Sequence, residues 1–221
     1  MIAIAIDGPA GAGKSTVARA AARELGYIYV DTGALYRTVG LHMLQNGISL
    51  SDEKAVVEEL PGLRVSLEFK NGEQHVLLCG RDVSSEIRTP EVSMAASSVS
   101  AMQPVRNFLF DLQKDMARTN NVIMDGRDIG TVVLPDAQVK IFLTASDEER
   151  AGRRYRELLE KGQTVSFEEV LKDLRARDYA DSHRAAAPLK PAEDSVLVDT
   201  TGLSLEEAVQ KVLQVARRKL G

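Results

Sequence analysis

Residues 8–15, with the sequence GPAGAGKS, constrain this chain more than any other feature. They match the pattern G-x-x-x-x-G-K-[ST] and lie between an apolar run at residues 2–6 and a stretch at 15–25 whose apolar residues recur at helical spacing. A strand, a glycine-rich turn and a helix in this order predict a loop whose N–H groups, with the positive end of the helix, cradle the phosphates of a nucleoside triphosphate. A flexible glycine turn is the alternative, and the flanking strand and helix make such a chance match rare.

The residues of this phosphate loop have expected roles. Lys14 would bring a mobile positive charge to the terminal phosphates, and the Ser15 hydroxyl would ligate Mg²⁺, which bridges phosphate oxygens. Asp125 ends an apolar run and is the candidate for a carboxylate that orients waters on this Mg²⁺, with an ordinary Asp-Gly turn as the alternative. We expect the nucleotide to contact Gly8, Pro9, Ala10, Gly11, Ala12, Gly13, Lys14, Ser15 and Thr16.

Strand and helix patterns alternate along most of the chain. Short apolar runs predict strands at residues 2–6, 27–30, 122–124, 139–143 and 196–198. Helical spacing predicts helices at residues 15–25, 34–45, 147–161, 167–179 and 205–220. The alternation favours an α/β fold in one domain, residues 1–221: a three-layer sandwich with a five-stranded parallel sheet, whose ligands bind beyond the carboxyl ends of the strands. The carboxylates expected near that edge are Asp7, Asp31, Asp125 and Asp199.

The middle of the chain interrupts this alternation. Apolar and polar residues alternate over 63–69, the pair Asn71-Gly72 is a strong hairpin signal, and residues 76–79 form the expected return strand. Two helices, each with a proline near its start, are expected at residues 90–101 and 104–118. The sequence therefore predicts an inserted antiparallel unit within the larger domain.

Charge and composition exclude several classes of protein. The chain has 28 basic and 32 acidic residues, a formal net charge of −4, so its field would weakly repel nucleic acid or an anionic membrane. No apolar run is long enough to span a bilayer or to act as a secretion signal, and we expect a cytosolic protein without membrane or nucleic-acid partners. One cysteine, Cys79, expected to pack inside the inserted unit, and three scattered histidines leave no spacing for structural zinc. His183 is expected on the surface.

The phosphate loop alone leaves the use of the nucleotide open. A GTPase switch should carry the guanine-reading pattern N-K-x-D, which is missing, and the one D-x-x-G, at residues 199–202, follows the last predicted strand. Kinases and motor or remodelling ATPases remain. Of the 28 basic residues 18 are arginine, the side chain suited to gripping phosphate with two hydrogen bonds.

Three further motifs carry a resemblance to a known family. They are DTGALYR at residues 31–37, GRDIGTVVLPDA at 126–137, and R-D-x-x-D-x-x-R at 177–184. With the phosphate loop, these motifs resemble the bacterial cytidylate kinases, which are nucleoside monophosphate kinases, over nearly the whole chain. The resemblance implies in-line transfer of the γ-phosphoryl group of ATP to CMP or dCMP. We expect Mg²⁺ as the cofactor and a monomeric protein. The resemblance also implies a monophosphate-binding subdomain at about residues 60–101 and a short lid at about 150–164.

The resemblance further implies roles for individual side chains. It assigns Arg37, Arg127 and Arg184 to the acceptor phosphate and Thr32 to its neighbourhood. It assigns Ser97, Arg106 and Asp128 to the cytosine edge, Arg177 and Asp181 to the sugar, and Arg154 to the lid. The groups that would act on the transferring phosphate are Lys14, Arg127, Arg184 and Arg154.

Spacing supports part of this assignment. Arg177, Asp181 and Arg184 stand at i, i+4 and i+7, which places them on one helix face. For an arbitrary helix, a solvated and salt-bridged face would be the alternative. Arg150, Arg153 and Arg154 lead into the lid, where they either reach the phosphate or form exposed surface. Two other functions stay open: a kinase for another nucleoside monophosphate, and a nucleotide-binding regulatory module without an acceptor.

Overall fold

Two sheets organise the structure, a computed structural model that describes residues 1–70, 73–160 and 162–221. Five parallel strands form the central sheet in the order β2-β6-β1-β7-β8, and β3, β4 and β5 form a small antiparallel sheet. The strands are β1 (Ala3–Asp7), β2 (Ile28–Asp31), β3 (Val65–Lys70), β4 (Glu73–Leu78), β5 (Arg81–Asp82), β6 (Val122–Gly126), β7 (Val139–Thr144) and β8 (Val196–Asp199). The predicted α/β fold with a five-stranded parallel sheet is confirmed. The predicted turn at Asn71-Gly72 lies outside the described residues.

Helices connect the strands at nearly the predicted places. The helices are α1 (Lys14–Leu25), α2 (Thr32–Gln45), α3 (Glu53–Glu59), α4 (Pro90–Ser100), α5 (Gln103–Thr119), α6 (Asp147–Glu160), α7 (Phe167–His183) and α8 (Leu205–Leu220). One turn of π-helix, Ile129–Val133, follows β6. The sequence did not predict α3, and it ended α7 four residues too early. None of the helices in the described ranges is both long and apolar enough to cross a bilayer.

Helices cover both faces of the central sheet. On one face α1 and α8 pack on β1 and β7 through side chains such as Ile4, Val17 and Leu213. On the other face, apolar residues of β1, β2 and β6, such as Val30 and Met124, pack with the π-helical turn. The three-layer architecture follows from strands that are apolar on both sides.

The small sheet belongs to a second apolar cluster, together with α2, α4 and α5. Gly40 lets α2 approach α4 closely, because a Cβ atom there would lie 2.9 Å from the Cβ of Ala95. Val76 and Leu78 point into this cluster from β4, whereas Cys79 follows the strand in a turn with φ of 50° and is exposed. The expectation that Cys79 is packed is therefore wrong, because β4 ends one residue earlier than predicted.

Register brings the strand-end carboxylates to one edge of the central sheet. Asp31 pairs with Asp125 across β2 and β6, and Asp7 pairs with Gly126 across β1 and β6. Because the strands are parallel, the phosphate loop after β1 and the segment after β6 leave this edge side by side.

Candidate active site

The phosphate loop owes its shape to three glycines with positive φ. The φ angles of Gly8, Gly11 and Gly13 are 153°, 70° and 85°, and a Cβ atom on Gly8 would lie 1.9 Å from the carbonyl oxygen of Leu143. Only glycine fits such positions without strain. Gly13 caps α1 without a side-chain hydrogen bond, so the first N–H groups of the helix face the loop as donors for an anion.

Lys14 is folded back onto this loop. Its Nζ donates a hydrogen bond of 2.8 Å to the carbonyl oxygen of Pro9, and the side chain is buried. Burial, followed by the nearby charge of Arg127, lowers the pKa of Lys14 to about 7. Near pH 7 the Lys14 side chain is therefore only partly charged.

Asp125 receives two side-chain hydrogen bonds at the end of β6. The Ser15 hydroxyl donates to its Oδ2 at 2.9 Å, and the Tyr29 hydroxyl donates to its Oδ1 at 2.9 Å. Burial, followed by the negative charge of Asp31, raises the pKa of Asp125 to about 6. The two residues expected to serve Mg²⁺ are thus in contact. Sequence reasoning missed Tyr29, which looks like an ordinary strand residue.

Asp31 links the end of β2 to α2. Its Oδ1 accepts the N–H of Ala34 at 3.0 Å as the cap of α2, and its Oδ2 accepts from Arg37 Nη2 at 2.7 Å. Burial would raise the pKa of Asp31, but Arg37, the N–H of Ala34 and the charge of Arg88 together outweigh it, and the pKa lies below its usual value. Thr32 donates from Oγ1 to the carbonyl oxygen of Asp125 at 2.7 Å, which ties this corner to β6.

Asp128 holds two arginines from distant parts of the chain. Arg106 Nη2 donates to its Oδ2, and Arg184 Nη2 lies 3.4 Å from its Oδ1. Burial outweighs these positive charges and raises the pKa of Asp128. Ser100 completes the group, because its carbonyl oxygen accepts from Arg106 and its hydroxyl accepts from Arg184, each at 3.2 Å. Ser97 joins through its carbonyl oxygen, which accepts from Ser100 Oγ at 2.9 Å.

Ser100 was not singled out from the sequence. Ser100 lies three residues after Ser97 on α4, so the two serines are neighbours on the helix surface. The spacing alone does not show which of them faces the site.

The face of α7 predicted from spacing meets the segment after β6. Arg127 Nε donates to Asp181 Oδ2 at 2.8 Å. Burial would lower the pKa of Arg127, but Asp181, together with the charges of Asp125 and Asp178, outweighs it, and the pKa lies above its usual value. For Arg177 the balance is reversed: burial, followed by the charge of Arg127, outweighs the charge of Asp181 and lowers the pKa to about 10. We use the name acceptor cluster for Arg37, Arg106, Arg127, Arg177 and Arg184 with Asp31, Asp128 and Asp181.

The three arginines of α6 have different surroundings. Arg150 is buried and donates to the carbonyl oxygen of Ala10 at 2.8 Å. Arg153 donates to the carbonyl oxygens of Ala12, at 3.3 Å, and Thr200, at 2.9 Å. Arg154 pairs with Glu157 at 2.8 Å and contributes to the lowered pKa of Arg177, so it lies at the edge of the acceptor cluster.

The two remaining strand-end carboxylates, Asp7 and Asp199, accept hydrogen bonds from groups of the protein itself. Asp7 accepts the N–H groups of Ile129 at 2.8 Å and Gly130 at 2.7 Å, and burial raises its pKa to about 6. It thereby joins the start of the phosphate loop to the π-helical turn that follows Asp128. Asp199 accepts both the N–H and the hydroxyl of Thr201 in a local exposed turn. His183 is exposed, as predicted, and stacks on Tyr179.

Comparisons with known proteins identify the family of this chain. The model of the cytidylate kinase family matches residues 4–218. The cytidylate kinase of Caldicellulosiruptor bescii is 52% identical over 214 residues, which are 97% of this chain and 95% of that protein. That of Carboxydothermus hydrogenoformans is 53% identical over 216 residues, 98% of this chain and 97% of that protein.

Solved structures share the fold at low identity. A gluconokinase from Sinorhizobium meliloti matches with a TM-score of 0.51 at 16% identity, covering 99% of this chain and 94% of that chain. An uncharacterized protein from Eubacterium ventriosum matches with a TM-score of 0.54 at 12% identity, covering 97% of each. The family match, which spans almost the whole sequence, is the decisive one: the chain belongs to the cytidylate kinase family.

Proposed function

We propose that this protein transfers the γ-phosphoryl group of ATP to CMP or dCMP and releases ADP with CDP or dCDP. The observation that carries the proposal is the nearness of Lys14, in the phosphate loop, to Arg127, in the acceptor cluster: Lys14 is buried, the Arg127 side chain is only 20% exposed, and the charge of Arg127 lowers the pKa of Lys14. Two anions placed on either side of this pair would bring their phosphates together. Membership of the cytidylate kinase family supports the same reaction.

On the donor side, the phosphate loop and the start of α1 hold ATP. The N–H groups of residues 11–16 face the phosphates, and the end of the helix adds its positive potential. Lys14 leaves the carbonyl of Pro9 and turns to the terminal phosphates. The loose transition state spreads charge over the equatorial oxygens, so fixed positive groups do most of the catalysis.

On the acceptor side, Arg37, Arg127 and Arg184 bind the monophosphate, with Thr32 beside it. Among the described residues, the Nε atoms of Arg37 and Arg177 are buried without a hydrogen-bond partner. Buried donors of this kind are uncommon, and an oxygen-rich substrate would satisfy them. Arg154, on the lid, completes the charge around the transferring phosphate and helps to exclude water.

The base and sugar are bound by the rest of the acceptor cluster. Cytosine presents an exocyclic amino donor, which suits the carboxylate of Asp128, beside acceptors that suit the guanidinium of Arg106. Ser97 lies on the same helix as Ser100, whose carbonyl oxygen orients Arg106. Arg177 and Asp181 meet the sugar.

The residues at the donor site fit a Mg²⁺ ion. The Ser15 hydroxyl and the Asp125 carboxylate are in contact and offer the hard oxygen atoms that Mg²⁺ prefers, next to the place for the phosphates. When bound, the ion neutralises phosphate charge. Tyr29 holds the Asp125 carboxylate in its orientation by hydrogen bonding.

The same proposal includes the larger organisation of the protein. Residues 60–101 would form the monophosphate-binding subdomain, which the antiparallel sheet and α4 support, and residues 150–164 the lid. We further propose that the protein acts as a monomer in the cytosol. Its negative formal charge of −4 fits an enzyme for nucleotides rather than for nucleic acid.

A substrate panel tests the proposal. ADP release would be measured with ATP and Mg²⁺ against CMP, dCMP, UMP, AMP and GMP. We expect CMP and dCMP to be phosphorylated fastest. Equal rates with UMP would contradict the role of the acceptor cluster in reading cytosine, and slow ATP hydrolysis that CMP does not change would instead indicate a regulatory module.

A further inference from the structure

Side chains from outside the phosphate loop hold its third residue, Ala10. The N–H of Ala10 donates to Asp178 Oδ1 at 3.1 Å, and its carbonyl oxygen accepts from Arg150 Nη1 at 2.8 Å. The same nitrogen of Arg150 lies 2.5 Å from Asp178 Oδ2. One ion pair between α6 and α7 therefore fixes both main-chain polar groups of Ala10.

Arg150 is not free to bind a phosphate itself. Its Nε donates to the carbonyl oxygen of Ala145 at 3.0 Å, and its Nη2 donates to Asp147 Oδ1 at 2.5 Å. Each of its three nitrogens thus already has a partner in the protein, and the residue is only 4% exposed. The sequence left two roles open for Arg150, a phosphate contact or a place on the exposed surface. The structure supports neither of them, because Arg150 is a buried link between α6 and the phosphate loop.

The next loop residue, Gly11, shows how closely the phosphate loop packs against α6 and α7. A Cβ atom on Gly11 would lie 3.1 Å from both the carbonyl oxygen of Arg150 and the Cδ1 atom of Leu174. Helix α7 also carries Arg177 and Asp181 of the acceptor cluster, on either side of Asp178. The same helix therefore touches the donor loop and the acceptor cluster.

We propose that Asp178 and Arg150 act as a positioning pair that holds the phosphate loop in its ATP-binding shape and joins it to the helix that carries the acceptor contacts. The pair does not touch the reacting atoms. This inference rests on the proposed function, because it concerns how tightly that site binds ATP.

The substitution Asp178→Asn separates the two contacts at nearly constant volume. An amide offers one accepting oxygen, so it can take the N–H of Ala10 or face Arg150, but not both, and its NH₂ group repels the other donor. The loop then has to be ordered by ATP itself, which reduces affinity. Since hydrogen bonds to charged groups are among the stronger ones, we expect the Kd and KM for ATP to rise about tenfold.

The experiment uses the full chain with Mg²⁺. Calorimetric titration with ATP and steady-state kinetics would be carried out on Asp178→Asn, on Arg150→Lys and on the double variant, with thermal unfolding of each. The matched control is Asp173→Asn, which removes an exposed carboxylate from the same helix. We expect each single variant to weaken ATP binding, the double variant to be no worse than the singles, the KM for CMP to change by less than about twofold, and the control to behave as the parent.

Two results would overturn the inference. One is ATP affinity equal to that of the parent in a folded Asp178→Asn or Arg150→Lys variant. The other is a parallel rise in the KM values for ATP and CMP with a lower melting temperature, which is the signature of general loss of structure. If the parent protein formed no ADP in response to CMP, the proposed function would fail instead, so the two failures are distinguishable.

Discussion

The phosphate loop and the acceptor cluster offer phosphate different kinds of hydrogen-bond donor. The loop uses main-chain N–H groups whose directions are set by Gly8, Gly11 and Gly13. The acceptor cluster uses side chains that are already paired with one another, as Arg37 is with Asp31 and Arg127 with Asp181. A ligand of the loop meets preformed donors, whereas a ligand of the cluster must share guanidinium groups with carboxylates.

This difference explains how an acidic protein can bring two anions together. In the cluster, the carboxylates neutralise most of the arginine charge while the site is empty, and they keep each guanidinium in a fixed direction. In the loop, the single cation Lys14 is kept near neutrality by burial and by Arg127. Affinity on the donor side therefore depends on one charge and on loop geometry, and on the acceptor side it is spread over several residues.

The strongest test of this contrast is Lys14→Met. Because single charge-stabilising groups in phosphoryl transfer are worth about 10³- to 10⁵-fold, we expect kcat to fall by at least ~10³. Steady-state ADP release with saturating ATP and CMP measures the effect. Lys172→Met, an exposed lysine on α7, is the control and should keep the parental rate. A rate close to that of the parent in Lys14→Met would refute the role of the loop.

A smaller effect is expected on the acceptor side from Arg106→Met. Asp128 keeps Arg184 as a partner, so the fold should persist while one reader of the base is lost. We expect the KM for CMP to rise about 10- to 100-fold and the preference for CMP over UMP to shrink, with kcat less affected. Arg118→Met, exposed on the same helix α5, is the control. Unchanged discrimination between CMP and UMP would remove Arg106 from base reading.

The smallest expected effect is the uptake of a proton by Lys14 when ATP binds. With a pKa of about 7, Lys14 in the free protein is mostly neutral at pH 8, and the phosphates of ATP would favour its charged form. ATP binding at pH 8 should therefore take up close to one proton, and the affinity for ATP should fall as pH rises above 7. Calorimetry in buffers of different ionisation enthalpy measures this uptake. Equal uptake in Lys14→Met would assign the proton elsewhere.

Local patterns predicted most of the fold and the donor site. The strand, glycine turn and helix around residues 8–15 depend on residue spacing and on the conformations that glycine allows. The structure has these three elements in the predicted order. The alternation of strands and helices likewise predicted the central sheet. The spacing predicted Arg177 and Asp181 on α7, whereas Arg184 lies just after this helix as its C-cap, in an extended conformation. Asp125 and Ser15 also meet as expected.

Features that depend on distant contacts were not predictable in the same way. After Ala180, the last residues of α7 (Asp181, Ser182 and His183) are weak helix formers, and Asp181 is held by Arg127, 54 residues earlier. Ser100 bonds to Arg184, 84 residues later, and Asp178, although it lies in the motif at 177–184, bonds to Ala10, 168 residues earlier; neither contact is indicated by the neighbouring sequence. The π-helical turn after Asp128 depends on the carboxylate of Asp7, 122 residues before Ile129.

The most direct test of the central claim is a titration with a bisubstrate ligand, adenosine and cytidine joined through their 5′ positions by five phosphates. If the phosphate loop and the acceptor cluster line one cleft, calorimetry should show one molecule bound per chain, more tightly than ATP or CMP alone, and saturating ATP or saturating CMP should each compete with it. Two molecules bound per chain, or binding that CMP does not affect, would contradict a shared cleft.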